Sequence, residues 1–159
     1  LLVRNPLDCI TSLFNMVCTG SHNRSIHDDD FQDYPEHWSE FIHQEIGVWK
    51  DFHEFWLSST KLPIHIIRYE DIVSFPKMAL SSLMKFILNV ESISGTKMEH
   101  YIDLAVKEAS PQIYKPREGK VNGNLDKFTD EDIRFMLQSS GDFINKFDYK
   151  SIFTRTIEE

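Results

Sequence analysis

The order of apolar and polar positions reads as helices separated by two short strands. The strongest pattern covers 36–57, where Trp38, Phe41, Ile42, Trp49, Phe52 and Trp56 return at three- and four-residue steps, the spacing of one helical face. Pro35 before it and Pro63 after it mark its limits. Three tryptophans on one face can stack on a sugar or a base, but such a stripe more often builds a core, and a core face is expected. Pro76 opens a second helix with Leu80, Leu83, Met84, Ile87 and Leu88 as its buried stripe. Thr96 can cap a third, running to about Glu108 with Ile102, Ala105 and Val106 on one side, and Ser110-Pro111 breaks it. Thr129 caps the last, with Asp130, Glu131 and Asp132 in its first turn. Its Ile133, Met136 and Leu137, and later Ile144 and Phe147, point to the core, with an interruption at Gly141.

Two stretches change the period. Leu1-Leu2-Val3 reads as the end of a buried strand, after which Asn5 can cap a helix that begins at Pro6, a residue whose φ is already helical. Residues 64–69 read as a second short buried strand, rich in β-branched Ile64, Ile66 and Ile67. Between the helices, 20–34 is polar and carries Asp28-Asp29-Asp30, which reads as a solvated loop. His22 and His27 in that loop fit no zinc or calcium spacing, so no metal is expected. Residues 112–127 show little periodicity but hold Lys115, Arg117, Lys120 and Lys127, either a solvated loop or a basic lid over an anionic ligand.

Composition narrows the picture. A 159-residue chain with 41% hydrophobic and 13% aromatic residues can form one globular domain, expected over 1–150 with a tail at 151–159. A net charge of -8 argues against a nucleic-acid partner, so any nucleotide must meet a local basic pocket. No run approaches the ~20 apolar residues of a membrane span. Cys9 and Cys18 fall on one expected helix, ~13 Å apart at 1.5 Å per residue, too far for a disulfide. Asn23-Arg24-Ser25 is a glycosylation sequon and leans toward a secretory compartment.

Candidate chemistry gathers at the start of the chain. A strand running into a capped helix places Arg4 at the C-terminal edge of the strand, where open α/β sheets bind ligands. Ser12 lies eight residues on, one turn beyond Asp8 on roughly the same helical face. A guanidinium and a hydroxyl converging there can hold a phosphate by charge-assisted hydrogen bonds; the plainer alternative is a surface salt bridge and an incidental serine. If the two strands are parallel, Arg68-Tyr69-Glu70-Asp71 emerges at the same edge, which makes Tyr69 a candidate for adenine contact. The plainer alternative there is an Arg68–Glu70 ion pair with Tyr69 merely packing.

Arg4-Asn5-Pro6-Leu7-Asp8 with Ser12 resembles the 3′-phosphate-binding segment of sulfotransferases that use 3′-phosphoadenosine 5′-phosphosulfate (PAPS). Arg68-Tyr69-Glu70-Asp71 followed by Pro76 resembles the family's second landmark, and Arg117-Glu118-Gly119-Lys120-Val121 running to Phe128-Thr129 its late cofactor loop. Glu118 stands where the family has Lys, and Asn124 where it has Trp. The resemblance implies an α/β, P-loop-like fold, a parallel sheet flanked by helices, with the N-terminal strand and phosphosulfate loop missing, so that the chain is the C-terminal part of a sulfotransferase domain. It implies PAPS as co-substrate, held by Arg4, Ser12, Tyr69, Arg117 and Gly119, and transfer of a sulfuryl group to a hydroxyl or amine on a glycan or small molecule. The catalytic groups lie upstream in the family, so this chain is expected to be inactive alone, and any membrane anchor would also lie upstream. Phe14-Asn15, Cys18 and Gly20 after the first landmark look most like WSC-domain sulfotransferases, which implies a Golgi lumenal glycan enzyme; the cytoplasm is the alternative. A non-catalytic nucleotide- or glycan-binding module of the same fold is the competing reading, and another P-loop-like transferase such as a kinase a third.

Overall fold

The computed structural model describes residues 1–58, 61–108 and 123–154. It is mostly helical with one small parallel sheet, consistent with an α/β class, and it divides into two compact units. The first comprises Leu1–Arg4 and Leu62–Lys115, the second Asn5–Lys61 and Pro116–Glu159.

In the first unit, strand β1 (Leu2–Val3) pairs in parallel with β2 (Ile67–Arg68), in the register Leu2 to Ile67 and Val3 to Arg68. Only two residues of the expected 64–69 strand are in the ladder, opposite the two of β1. Tyr69 opens helix α4 (Tyr69–Ser74) instead of closing the strand. Helix α5 (Pro76–Leu88) starts on its proline as expected and ends on Asn89 in the left-handed conformation, whose N–H donates to Lys85 O. It packs on α4 and on α6 (Lys97–Lys107), whose cap Thr96 accepts from Glu99 N–H. The Lys77 ammonium lies 2.6 Å from Asp103 on α6. That hydrogen bond, with the negative charge of Asp103 and Glu99, raises the lysine above its usual value. The expected α5 stripe is buried only in part. Ile87 is 60% and Leu88 47% exposed, because no described element lies over that end of the helix.

In the second unit, α1 (Pro6–Thr19) is capped by Asn5 and closed by Gly20, which takes the positive φ of 61° that a side chain would strain. The polar 20–34 stretch is not wholly a loop: Asp28–Asp33 forms a short helix, α2, in which the Asp30 carboxylate accepts from the His27 N–H. Acidic residues in a first turn are stabilised by the helix dipole, and Phe31 anchors the turn in the core. Helix α3 (Pro35–Ser58) packs on α1, α2 and α7 (Asp130–Ser139). Its buried face is Trp38, Ile42, Ile46, Trp49 and His53. Phe52 and Trp56, expected in the core, lie on the neighbouring arc and are about half exposed (50% and 46%). Thr129 caps α7 and shares a reciprocal capping box with Asp132. Gly141 turns the chain with φ 57° into α8 (Phe143–Lys146). Ile133, Met136, Ile144 and Phe147 are buried as expected. The expected tail at 151–159 begins instead as helix α9 (Lys150–Thr154), because Phe153 is fully buried.

Candidate functional site

Parallel pairing of β1 and β2 brings their C-terminal ends side by side, so the residues that follow, Arg4 and Tyr69, meet in the first unit. The Arg4 guanidinium carbon sits 4.6 Å from the centre of the Tyr69 ring, within the range of a cation–π contact. Beside them the Arg68 guanidinium forks onto Asp71, with Nε 3.0 Å from Oδ2 and Nη2 2.7 Å from Oδ1. The first turn of α4 is thus fixed by a bidentate ion pair, which holds Tyr69 at its N-terminal end. Asp71 is thus an ion-pair partner of Arg68 that the sequence reading did not name, and Glu70 is itself buried.

In the second unit the first turn of α1 is held by side chains on every side. The Asn5 side-chain Oδ1 accepts from the Asp8 N–H, and the Asn5 side-chain amide donates to Asp8 Oδ2, both at 2.9 Å. The other carboxylate oxygen, Asp8 Oδ1, accepts from the Asn124 amide at 2.9 Å. Asn5 and Asp8 are fully buried (0% and 1% exposed), so these bonds replace water that neither group can reach. Ser12 is half-buried one turn further along α1. Asn15, deeper on the same helix, accepts from the Ile26 N–H through Oδ1 and so anchors the stretch that carries the exposed sequon residues Asn23, Arg24 and Ser25.

Of the residues expected to hold a nucleotide, Arg4 and Tyr69 are therefore in contact and Ser12 stands on α1 in the second unit, while Arg117 and Gly119 lie outside the described residues, as do Lys115, Glu118 and Lys120. Lys127 does not act as a free lid cation. Its ammonium lies 3.0 Å from Asp28 and 3.1 Å from Asn124 Oδ1, over the Phe31 ring, with only 16% of the side chain exposed. Asn124 is the residue whose role the sequence did not reveal. The only hint was its departure from the Trp of the resembling family.

A cleft of about 580 Å³ opens in the second unit between α2, α3, α7 and the 3₁₀ turn Leu125–Lys127. Its lining includes five carboxylates, Asp28, Glu36, Asp126, Glu131 and Asp132, against the one cation Lys127, so its charge opposes an anionic nucleotide. The buried Asp132 accepts from Ser39 Oγ at 2.6 Å and from the Thr129 hydroxyl and N–H, which makes it part of the frame. Among the described residues no group of His, Cys, Asp or Glu side chains is placed to hold a metal ion, and no helix is long and apolar enough to cross a membrane.

The sheet edge presents Arg4 to Tyr69 and runs directly into the capped helix α1. The sequence model of the sulfotransferase domain matches residues 1–153, and the chain belongs to that family. No curated protein and no solved structure matches the chain significantly.

Proposed function

We propose that this sulfotransferase domain takes its sulfuryl group from PAPS and that the chain carries the part that recognises the 3′-phosphate. The observation that carries the reading is the cation–π contact of Arg4 with Tyr69 at the ends of two parallel strands, joined to the Asn5-Pro6 helix start. Arg4 and Ser12, with Arg117 and Gly119 of the late loop, hold the 3′-phosphate, and Tyr69 flanks the adenine. Charge-assisted hydrogen bonds to a phosphate dianion supply affinity and register, and none of these residues moves a proton. The bound donor supplies a sulfuryl group: its sulfur–oxygen bond to the bisphosphate breaks, a bond from sulfur to the acceptor oxygen or nitrogen forms, and the acceptor loses its proton. The exposed apolar end of α5 and a sheet of only two described strands support a fold that upstream strands complete, including the phosphosulfate loop, because parallel sheets are covered on both faces. The 159-residue chain alone is accordingly inactive.

The acceptor is a glycan hydroxyl or amine in the Golgi lumen. The exposed Asn23 sequon supports that compartment, and Asn23→Gln should abolish a glycosidase-sensitive shift in mobility. Glu118, which removes one cation from the late loop, favours the second reading, a module that binds nucleotide or glycan without catalysis.

The test is thermal protection of the intact protein by adenosine 3′,5′-bisphosphate, 5′-AMP and ATP. Protection by the bisphosphate well above that by 5′-AMP, with the difference abolished in Arg4→Ala, is expected. Equal protection by all three contradicts a 3′-phosphate site and points to a different nucleotide transferase.

A further inference from the structure

Asp8 poses an electrostatic problem for the cofactor reading. It is a buried carboxylate in the first turn of the helix that carries Ser12, one turn away, and a bare carboxylate there repels an incoming phosphate dianion. The helix N-terminus attracts anions, but Asp8 already occupies it. The donors that offset the charge include the Asn5 amide on Oδ2 and the Asn124 amide on Oδ1, while the Asn5 side-chain Oδ1 accepts the Asp8 backbone N–H and holds the turn. Asn124 reaches Asp8 across 116 residues of sequence, and its own amide is oriented from behind. Its Oδ1 accepts from the Lys127 ammonium at 3.1 Å, which fixes which end of the amide faces Asp8, and Lys127 is in turn held by Asp28 at 3.0 Å and by the Phe31 ring. The chain Asp28–Lys127–Asn124–Asp8–Asn5 therefore carries positive polarity from a half-buried ammonium toward the carboxylate. It ends on the residue that follows Arg4 directly.

We propose that Asn124 is a positioning residue for the 3′-phosphate: by donating to Asp8 Oδ1 it disperses the charge of that carboxylate and locks the first turn of α1, so that Ser12 meets an anion without opposition from Asp8. The proposal rests on the cofactor reading above. A hydrogen bond to a carboxylate is worth more than one between neutral groups, and its loss leaves the acceptor both underbonded and more negative.

The experiment measures, in the intact protein, the ratio of dissociation constants for 5′-AMP and adenosine 3′,5′-bisphosphate, which isolates the contribution of the 3′-phosphate. Asn124→Ala is expected to lower that ratio about tenfold. Asn124→Asp, which sets a second carboxylate against Asp8, lowers it further, and added salt recovers part of the loss. The exchange Asp8→Asn with Asn124→Asp re-forms the bond with donor and acceptor reversed and restores most of the ratio. A wild-type ratio near one overturns the cofactor reading and this proposal with it. A clear wild-type preference that Asn124→Ala leaves unchanged, or that the exchange fails to restore, overturns the proposal alone. So does a fall in the nucleotide-free melting temperature at an unchanged ratio, since that is the mark of a purely structural bond.

Discussion

The two units bury their apolar residues very differently. In the second, Ile42, Ile46, Ile133, Met136 and Phe153 are all fully buried, and the rings of Phe14, Phe31 and Phe128 gather around Trp38, Phe31 edge to face and the other two tilted. In the first, Phe75, Met78, Ile87 and Tyr101 are each 59–66% exposed, although α5 is no less amphipathic in sequence than α3 of the second unit. Amphipathicity says that a helix has a face to bury, and the presence of a covering layer decides whether it is buried. The second unit closes on itself through α3 and α7, whereas the first is built on two paired strands and leaves one side of α5 uncovered among the described residues.

The largest effect that sharpens this contrast is expected at Ile42. Truncation by Ile42→Ala removes methylene groups from a fully packed site and should cost about 3 kcal/mol in urea denaturation. A loss under about 1 kcal/mol would mean that the second unit is not the well-packed body described above. The next effect concerns pH. His53 is buried against Trp49, Phe143 and Phe147, with Nδ1 donating to Trp49 O at 2.6 Å. Burial pushes its pKa below the ordinary 6.5, and the hydrogen bond to Trp49 opposes that shift only in part. Above pH 6.5 the ring is neutral in both folded and unfolded chains; below it the unfolded chain takes up a proton that the folded one resists. Stability is thus complete above that pH and declines as the pH falls through it. Melting curves across the range should show this slope reduced in His53→Phe, and an unchanged slope would remove His53 from the account. The smallest effect belongs to the first unit. In the 159-residue chain Ile87→Ala should change stability by no more than about 0.5 kcal/mol, but by about 2 kcal/mol in the intact protein if upstream chain covers α5. Equal small losses in both would contradict that covering layer.

Local signals were well written in the sequence. Pro6, Pro76, Thr96 and Thr129 start their helices where the chain's own chemistry places them, because a proline at the first position and a hydroxyl cap act within one turn. The aspartates at 28–30 were harder, since a charged run suits a solvated loop and a first helical turn equally, and only Phe31 tips the balance. Periodicity placed Phe52 and Trp56 on the core side, because it cannot tell which of two adjacent apolar arcs finds a partner. At the candidate site, the Arg4–Tyr69 contact was legible because parallel strand ends fix it. The bond from Asn124 to Asp8 was not, because nothing in either local stretch points to a residue 116 positions away.

The most direct test of the account is transfer of radiolabelled sulfate from PAPS to glycan acceptors by the intact protein, its Arg4→Ala variant and the 159-residue chain in parallel. Transfer by the intact protein, a loss of most of it in Arg4→Ala, and none by the 159-residue chain are expected. Turnover by the 159-residue chain, or full activity in Arg4→Ala, would contradict the assignment of this chain as the 3′-phosphate-recognising part of a PAPS-dependent enzyme.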